Sequence, residues 1–347
     1  MPRTTYARAM VRRAFAAALA ISFCVGPAAA LTNEEIFNYR APDREQVLIE
    51  GARKEGQVVL YSALIVNQML RPLTAGFMKK YPFVKMSHWR ADSEELIPKI
   101  SAEVRANRVM ADLFEGSGGG EIAVEAGLTQ PFSTPVLDAY PKIYLDPKGH
   151  LAPTRLSYFS IAYNTRQVPA GKVPTSYGDL LDAQWKGRMA WPYANTGRYL
   201  FMINLRLAWG EERAMEYFKK LAEQKIINFA SGSARTLVDR VIAGEYQIAL
   251  NIYAHHPLIS AGKGAPVNSQ LMDPVPSAAG SLAAVKGSKH PHAAMLLADF
   301  ILGKEGQQIM AAAEYFPAHP DVEAQPQLAG IVPKKAVSST LSVRASP

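Results

Sequence analysis

Two blocks of this chain alternate short β-rich runs with runs at helical spacing, and no other feature of the sequence limits its fold so sharply. In the first block QVVLYS, at Gln57–Ser62, reads as a strand preceded by Gly56. Met69, Leu70, Leu73 and Phe77 follow at helical spacing, and Pro72 holds the helix start close to itself. Residues 83–88 read as a second strand. Asp92 with Glu95 three positions on has the form of a capping box, opening a helix whose apolar face is Leu96, Ile97, Ile100 and Val104. Residues 111–114 give a third strand that runs into Gly116-Ser117-Gly118-Gly119-Gly120. The order is βαβαβ, with glycines at the carboxyl end of a strand, and it predicts an α/β architecture.

Residues 130–153 are rich in Pro, Tyr and Asp and read as irregular surface structure, after which 157–163 (SYFSIAY) is again a strand. A second alternating block follows Pro169 and Pro174. It comprises a strand at 188–191, helices at 198–207 and 212–222, and a strand at 226–229. A helix marked by Leu237, Val238, Val241 and Ile242 is closed by Gly244, and 246–250 is a strand. The last strand is read at 282–285, followed by a helix carrying Ala294, Leu297, Ala298 and Ile301. Residues 326–347 read as a loose tail. No internal repeat of fixed period is present. A length of 347 residues is enough for about two domains at roughly 100–200 residues each.

The first thirty residues read as an export signal. Arg3, Arg8, Arg12 and Arg13 form a basic segment, residues 15–25 an apolar run, and Ala28-Ala29-Ala30 a small-residue cleavage site. The apolar run is about 11 residues, against the roughly 20 a membrane span needs. Arg12-Arg13 resembles a twin-arginine pair, but adjacent arginines are common in ordinary signals, and the Sec route is expected. Bulky Phe23 before Cys24 argues against a lipid anchor. The full chain has 38 Lys and Arg against 30 Asp and Glu, a net +8, and a single Cys. Cleavage after Ala30 removes four arginines, no acid and that cysteine, leaving +4 and no thiol. Disulfide, thiolate-metal and cysteine-nucleophile chemistry are thereby excluded for the mature chain. An exported, thiol-free chain points to the bacterial periplasm or to a cell-surface location in a similar organism, and a modest, scattered +4 does not point to nucleic acid.

Catalytic motifs fail on inspection. In the glycine run the third position of G-x-G-x-x-G falls on Glu121, and Gly262-Lys263-Gly264 lacks the rest of a phosphate loop. No serine is framed as G-x-S-x-G. His255 and His256 are adjacent and so point different ways, a poor chelating pair, while His290 and His292 flank a proline where a surface helix cap is expected. No cofactor is implied and the chain is not read as an enzyme; a periplasmic hydrolase is the weaker alternative.

An ordered series of phrases carries a family resemblance: EGQVVLYS from Glu55, FMKKYP from Phe77, ADLF from Ala111, IAYNT from Ile161, DLL from Asp179 with WKGR from Trp185, GEY from Gly244, KG from Lys286 with HPHAA from His290, and EGQ from Glu305. Together they resemble the periplasmic solute-binding proteins of bacterial ABC transporters, of the two-lobed type related to the ferric-ion-binding proteins. The resemblance implies a type II periplasmic binding protein fold, two open α/β domains joined by crossover strands with a ligand cleft between them. On that plan residues 31–160 and 281–325 form lobe one and 161–280 lobe two, with crossovers near 157–163 and 280–285. It also implies a membrane permease as partner, a monomer, and hinge closure over the solute.

In ferric-ion-binding relatives a His soon after the first strand, a Glu after the third, and two adjacent Tyr after the Gly-Glu-Tyr strand hold the metal. Here the resemblance puts Ile65, Ser117, and Tyr253 followed by Ala254 in those places. One phenolate does not hold Fe(III) unaided, so iron is disfavoured. The companion anion site of such relatives, a hydroxyl and free N–H groups at a helix start, falls on Thr196, Gly197 and Arg198. Strand carboxyl ends supply the other ligand-binding candidates: Ser62 and Ala63, Ser117 and Gly118, Ser231 and Ser233, and Tyr253, with Trp89 and Arg90 beyond them. The expected solute is a small organic anion, a carboxylate, phosphonate or phosphate ester. The alternatives are ferric iron or another metal, and a polyamine or thiamine, which Glu115 or Glu121 with Tyr253 would serve.

Overall fold

The computed structural model describes residues 31–117, 119–192, 196–230, 233–329 and 336–338. The expected export signal, Gly118 and Ser231 lie outside these residues. Two helices the sequence reading passed over, α1 (Asn33–Phe37) and α2 (Arg44–Glu55), precede strand β1 (Gln57–Ser62). Met69, Leu70, Leu73 and Phe77 are wholly buried, and the helical turn that carries the first two runs straight into α3 (Arg71–Lys80). A turn at residues 81–84 delays the next strand, β2, to Lys85–Arg90. Helix α4 (Ser93–Arg105) presents Leu96 and Ile100 to the core, as its spacing predicts. The capping box does not form: the Asp92 carboxylate accepts from Arg90 Nη2 at 2.6 Å, which takes it from the helix N–H groups.

Strand β3 (Leu113–Ser117) starts two residues later than expected and takes in Gly116 and Ser117. Just before it, the buried Asp112 carboxylate is held by Val59 N, Ser288 Oγ and the His290 ring at 2.7–2.9 Å, while the Asp112 backbone bonds to Val59 O and Val285 N at 2.9 and 3.0 Å. Helix α5 (Gly120–Glu125) and strand β4 (Thr129–Gln130) lead through two tight 3₁₀ turns to strand β5 (Ala152–Asn164). The second block follows in order: β6 (Met189–Pro192), α6 (Thr196–Trp209), α7 (Glu211–Ala222), β7 (Ile227–Phe229), α8 (Ala234–Ile242), β8 (Ile248–Tyr253), α9 (His255–Gly262) and β9 (Val267–Gln270). Strand β10 (Val275–Val285) returns to the first block, ahead of α10 (Pro291–Leu302), α11 (Lys304–Ala312) and β11 (Phe316–Pro317).

Residues 326–347 are not wholly loose. A turn of helix, α12 (Pro326–Ala329), buries Leu328, and β12 (Ala336–Ser338) pairs in parallel with Val275, Pro276 and Ser277 of β10. His290 and His292 are not solvated caps either. Their Nδ1 atoms lie 2.9 Å from Asp112 and 2.6 Å from Glu55, because the start of α10 is packed against α2 and the β3 approach.

The strands form one sheet in the order β2-β1-β3-β10-β5-β8-β6-β7. Strands β1, β2 and β3 are mutually parallel, and so are β6, β7 and β8. Between the two trios lie β10 and β5, antiparallel to each other and to their outer neighbours. Passing from β3 through β10 and β5 to β8 reverses direction three times, so the two trios run in opposite senses. Each half has its own apolar cluster, one around Leu96, Ile100 and Phe114, the other around Trp185, Met189, Leu205 and Ile248.

Candidate functional site

The opposed trios point their carboxyl ends at each other across β5. Ser117, the last residue of β3, pairs with Gly280 and through it with Arg155, while Tyr253, the last residue of β8, pairs with Phe159. Arg155 and Phe159 are four residues apart on one strand, about 13 Å at ~3.3 Å per residue. Ligands of open α/β sheets bind beyond the carboxyl ends of strands, and here two such edges face one gap.

On the β3 side the gap is floored by a buried polar network. Arg155 reaches across Gly280 to form an ion pair with Glu115 and donates from Nη2 to Ser117 Oγ at 3.0 Å. The Glu115 carboxylate also accepts from Ser62 Oγ at 2.7 Å and Thr154 Oγ1 at 3.1 Å. Glu115 and Ser62 are wholly buried, and charges so placed persist only when paired and hydrogen-bonded. Burial pulls the Arg155 pKa down, and the nearby Tyr315 and Tyr253 oppose that pull. Ser62, expected to offer its hydroxyl to a solute, gives it to Glu115 and accepts from Leu64 N at 3.1 Å. Ala63 is tied to the same strand, its N–H donating to Glu115 O at 3.0 Å. Ser117 stands beside them as the acceptor of Arg155.

The β8 side is shaped by a bulge. Leu250 and Asn251 together oppose the single residue Ile161 of β5, and Asn251 takes a left-handed φ of 56°. Its side-chain Nδ2 and Oδ1 are both buried without a hydrogen-bond partner, beside a cavity of about 10 Å³ that Phe201 of α6 also lines. Tyr253 stacks on Phe159 at 5.0 Å between ring centroids and on His255 at 5.9 Å. His255 and His256 occupy the first turn of α9, their rings 4.4 Å apart; both nitrogens of His255 and Nδ1 of His256 are buried without a partner. Burial, then His256, Arg155 and Arg235, hold the His255 pKa well below its usual value. Burial and Arg235 bring His256 to about 3. Arg235 itself donates to His256 O at 3.0 Å and Ser260 Oγ at 2.7 Å.

Ser62, Ala63, Ser117 and Tyr253 are thus brought together, through Glu115, Arg155 and Tyr315. Thr196, Gly197 and Arg198 open α6, whose next turn supplies the Phe201 that borders Asn251. Ser233 is the N-cap of α8, its Oγ accepting from Thr236 N at 3.3 Å. Trp89 and Arg90 are engaged in the first half, Trp89 against Tyr61 at 5.2 Å and Arg90 with Asp92. Arg155, Asn251 and Arg235 are the residues sequence reasoning missed. Arg155 lies two residues before the strand read at 157–163, and strand β5 starts earlier, at Ala152, which brings it into the sheet. A larger cavity, about 890 Å³, lies at the far end of α6 by Trp209 and Tyr217, away from the strand ends. Among the described residues no three His, Cys, Asp or Glu side chains gather as a metal site.

A family model of the bacterial extracellular solute-binding proteins matches residues 110–340, more than half of the chain. The chain belongs to that family. This solute-binding protein is the substrate-binding component of an ABC importer. It is similar to the Fe(3+)-binding periplasmic protein of Serratia marcescens, 22% identical over 306 residues that cover 84% of this chain and 85% of that one. Its fold matches the periplasmic binding protein AfuA from Actinobacillus pleuropneumoniae, solved with fructose-6-phosphate bound. The TM-score is 0.70 at 26% identity, over 79% of this chain and 88% of that one. The ferric binding protein from Campylobacter jejuni matches with a TM-score of 0.71 at 22% identity, over 82% and 94%. These neighbours are two-lobed periplasmic binding proteins, and the mixed α/β sheet of this solute-binding protein is of that fold class.

Proposed function

We propose that this solute-binding protein captures a small organic anion, a carboxylate, phosphonate or phosphate ester, and hands it unchanged to a membrane permease. The observation that carries the reading is the cluster at the end of β8. There His255 and His256 hold unpartnered ring nitrogens at the positive end of α9, within the field of Arg235 and, for His255, of Arg155. Such a place offers hydrogen-bond donors and positive potential, and Glu115, the carboxylate that would favour a cation, is already paired. Asn251 supplies a further amide, the start of α6 with Thr196, Gly197 and Arg198 a second helix N-terminus, and Tyr253 a ring against the rest of the solute. AfuA, 26% identical, holds a sugar phosphate, which supports a phosphate ester within that class.

On this reading lobe one comprises residues 31–160 and 281–325 and lobe two 161–280, closing about the crossovers. The chain is exported through the Sec route by the cleavable segment 1–30, acts in the periplasm as a monomer, and has neither a catalytic step nor a nucleic-acid partner.

The test is mass spectrometry of the small molecule released when protein purified from its native periplasm is denatured, followed by a thermal-shift panel. A phosphate ester, phosphonate or carboxylate in the released fraction, raising the melting temperature when added back, is expected. A polyamine or thiamine in that fraction, or a tyrosinate-to-iron colour band on adding ferric ion, would replace the anionic reading with a cationic one.

A further inference from the structure

We infer that Arg155 fixes the sign of charge the cleft accepts, by masking the Glu115 carboxylate rather than by touching the solute. The inference rests on the anionic reading above and explains how the site achieves it. Glu115 stands at the carboxyl ends of β1 and β3, where a bare carboxylate would draw a cation and repel an anion. Each of its side-chain partners is a donor: Ser62, Thr154 and Arg155.

The path of Arg155 is kept clear. A Cβ at Gly280 would lie 2.5 Å from its Nη1 and 2.8 Å from its Cζ, so a side chain there would push the guanidinium away. The guanidinium spends itself inside the protein, on Glu115, on Ser117 Oγ, and over the Tyr315 ring at 5.6 Å, and the Arg155 side chain is only 7% exposed. Stability alone is a weak reason for such a pair, since buried ion pairs commonly hold a fold no better than apolar side chains of the same volume. A masked charge at the cleft edge has a consequence that an apolar pair lacks.

The test uses Arg155→Met, Glu115→Gln and the double variant of the mature chain, with calorimetric titration of fructose 6-phosphate, inorganic phosphate and spermidine. At pH 8, where the bared carboxylate is ionised, masking predicts that Arg155→Met binds the anion at least tenfold more weakly, that Glu115→Gln, which leaves the Arg155 charge uncompensated, binds it no more weakly than the parent, and that the double variant recovers parental affinity. A double variant as weak as Arg155→Met would mean direct contact and overturn the inference, as would an unchanged Arg155→Met. Spermidine bound by the parent protein in place of either anion would instead defeat the anionic reading itself.

A second measurement needs no ligand. In Arg155→Met the groups left facing Glu115 are the neutral hydroxyls of Ser62 and Thr154, with Ser117, Tyr315, Tyr253 and the neutral His255 beyond them. An unpaired buried carboxylate then holds its proton more tightly folded than unfolded. Its contribution is present at low pH and lost as pH rises through the raised pKa, so the variant melts progressively lower than the parent from pH 5 to pH 8. The double variant shows no such slope. A variant folded only at low pH is the extreme of the same result, and a pH-independent deficit overturns masking.

Discussion

At Asn251 the chain accepts two local costs at once, a left-handed backbone at a residue with a Cβ and a buried amide with no partner. Conformations of this kind persist where surrounding structure imposes them and function uses them. Asn251→Gly removes both costs, and we expect it to raise stability by about 1–2 kcal/mol in urea denaturation while weakening solute binding about tenfold. His255 and His256 make a second prediction. Both are held neutral, His256 down to about 3, whereas an unfolded imidazole titrates near 6.5. The unfolded chain therefore binds more protons below that pH, and stability should fall as pH drops from about 6.5 toward about 3. Urea melts at pH 7, 6 and 5 read the slope, which His256→Phe should flatten. At this scale Tyr253 could be singled out from its place after the Gly-Glu-Tyr strand, but the bulge two residues before it could not. Nothing in LNIY marks which residue carries the bulge, because the register is set by pairing with β5, far back along the chain.

The elements show where sequence pattern stops being informative. The amphipathic helices and β1 were legible because burial on one side leaves a period in the sequence. Strand β10 was not: VPSAAGSLAAV is buried at every position, so it has no alternation, and its Ala, Ser and Gly carry little strand propensity. Only its last four residues read as a strand, and the small side chains that hid the rest are what let Arg155 pass across it. The start of α10 is a further case, since its cap comes from another helix. Glu55 of α2 accepts from His292 N at 3.1 Å and Ala293 N at 2.8 Å as well as from the His292 ring. Glu55→Ala should cost about 1–2 kcal/mol, the range for a lost N-cap, with the denaturant slope unchanged and solute affinity intact.

For the whole molecule, the basic excess that first suggests a polyanionic partner is halved by the segment read as an export signal. N-terminal sequencing of protein recovered from the periplasm should begin at Leu31, and a chain that retains residues 1–30 there would contradict that reading. The two-block plan was visible in the order of strands and helices. Their opposed directions were not, since these depend on β10 entering the sheet between β3 and β5, a pairing between residues more than a hundred positions apart. That same pairing slips register between Gly280 and Ser281, leaving Thr154 without a partner strand residue beside Arg155. The joint on which the halves would turn is therefore also where positive and negative charge are locked together. Both partners of the Glu115–Arg155 pair stand on the β3 side of that joint, so the pair would ride through any movement of the halves as one rigid unit, and the charge seen at the strand ends would be the same open or closed.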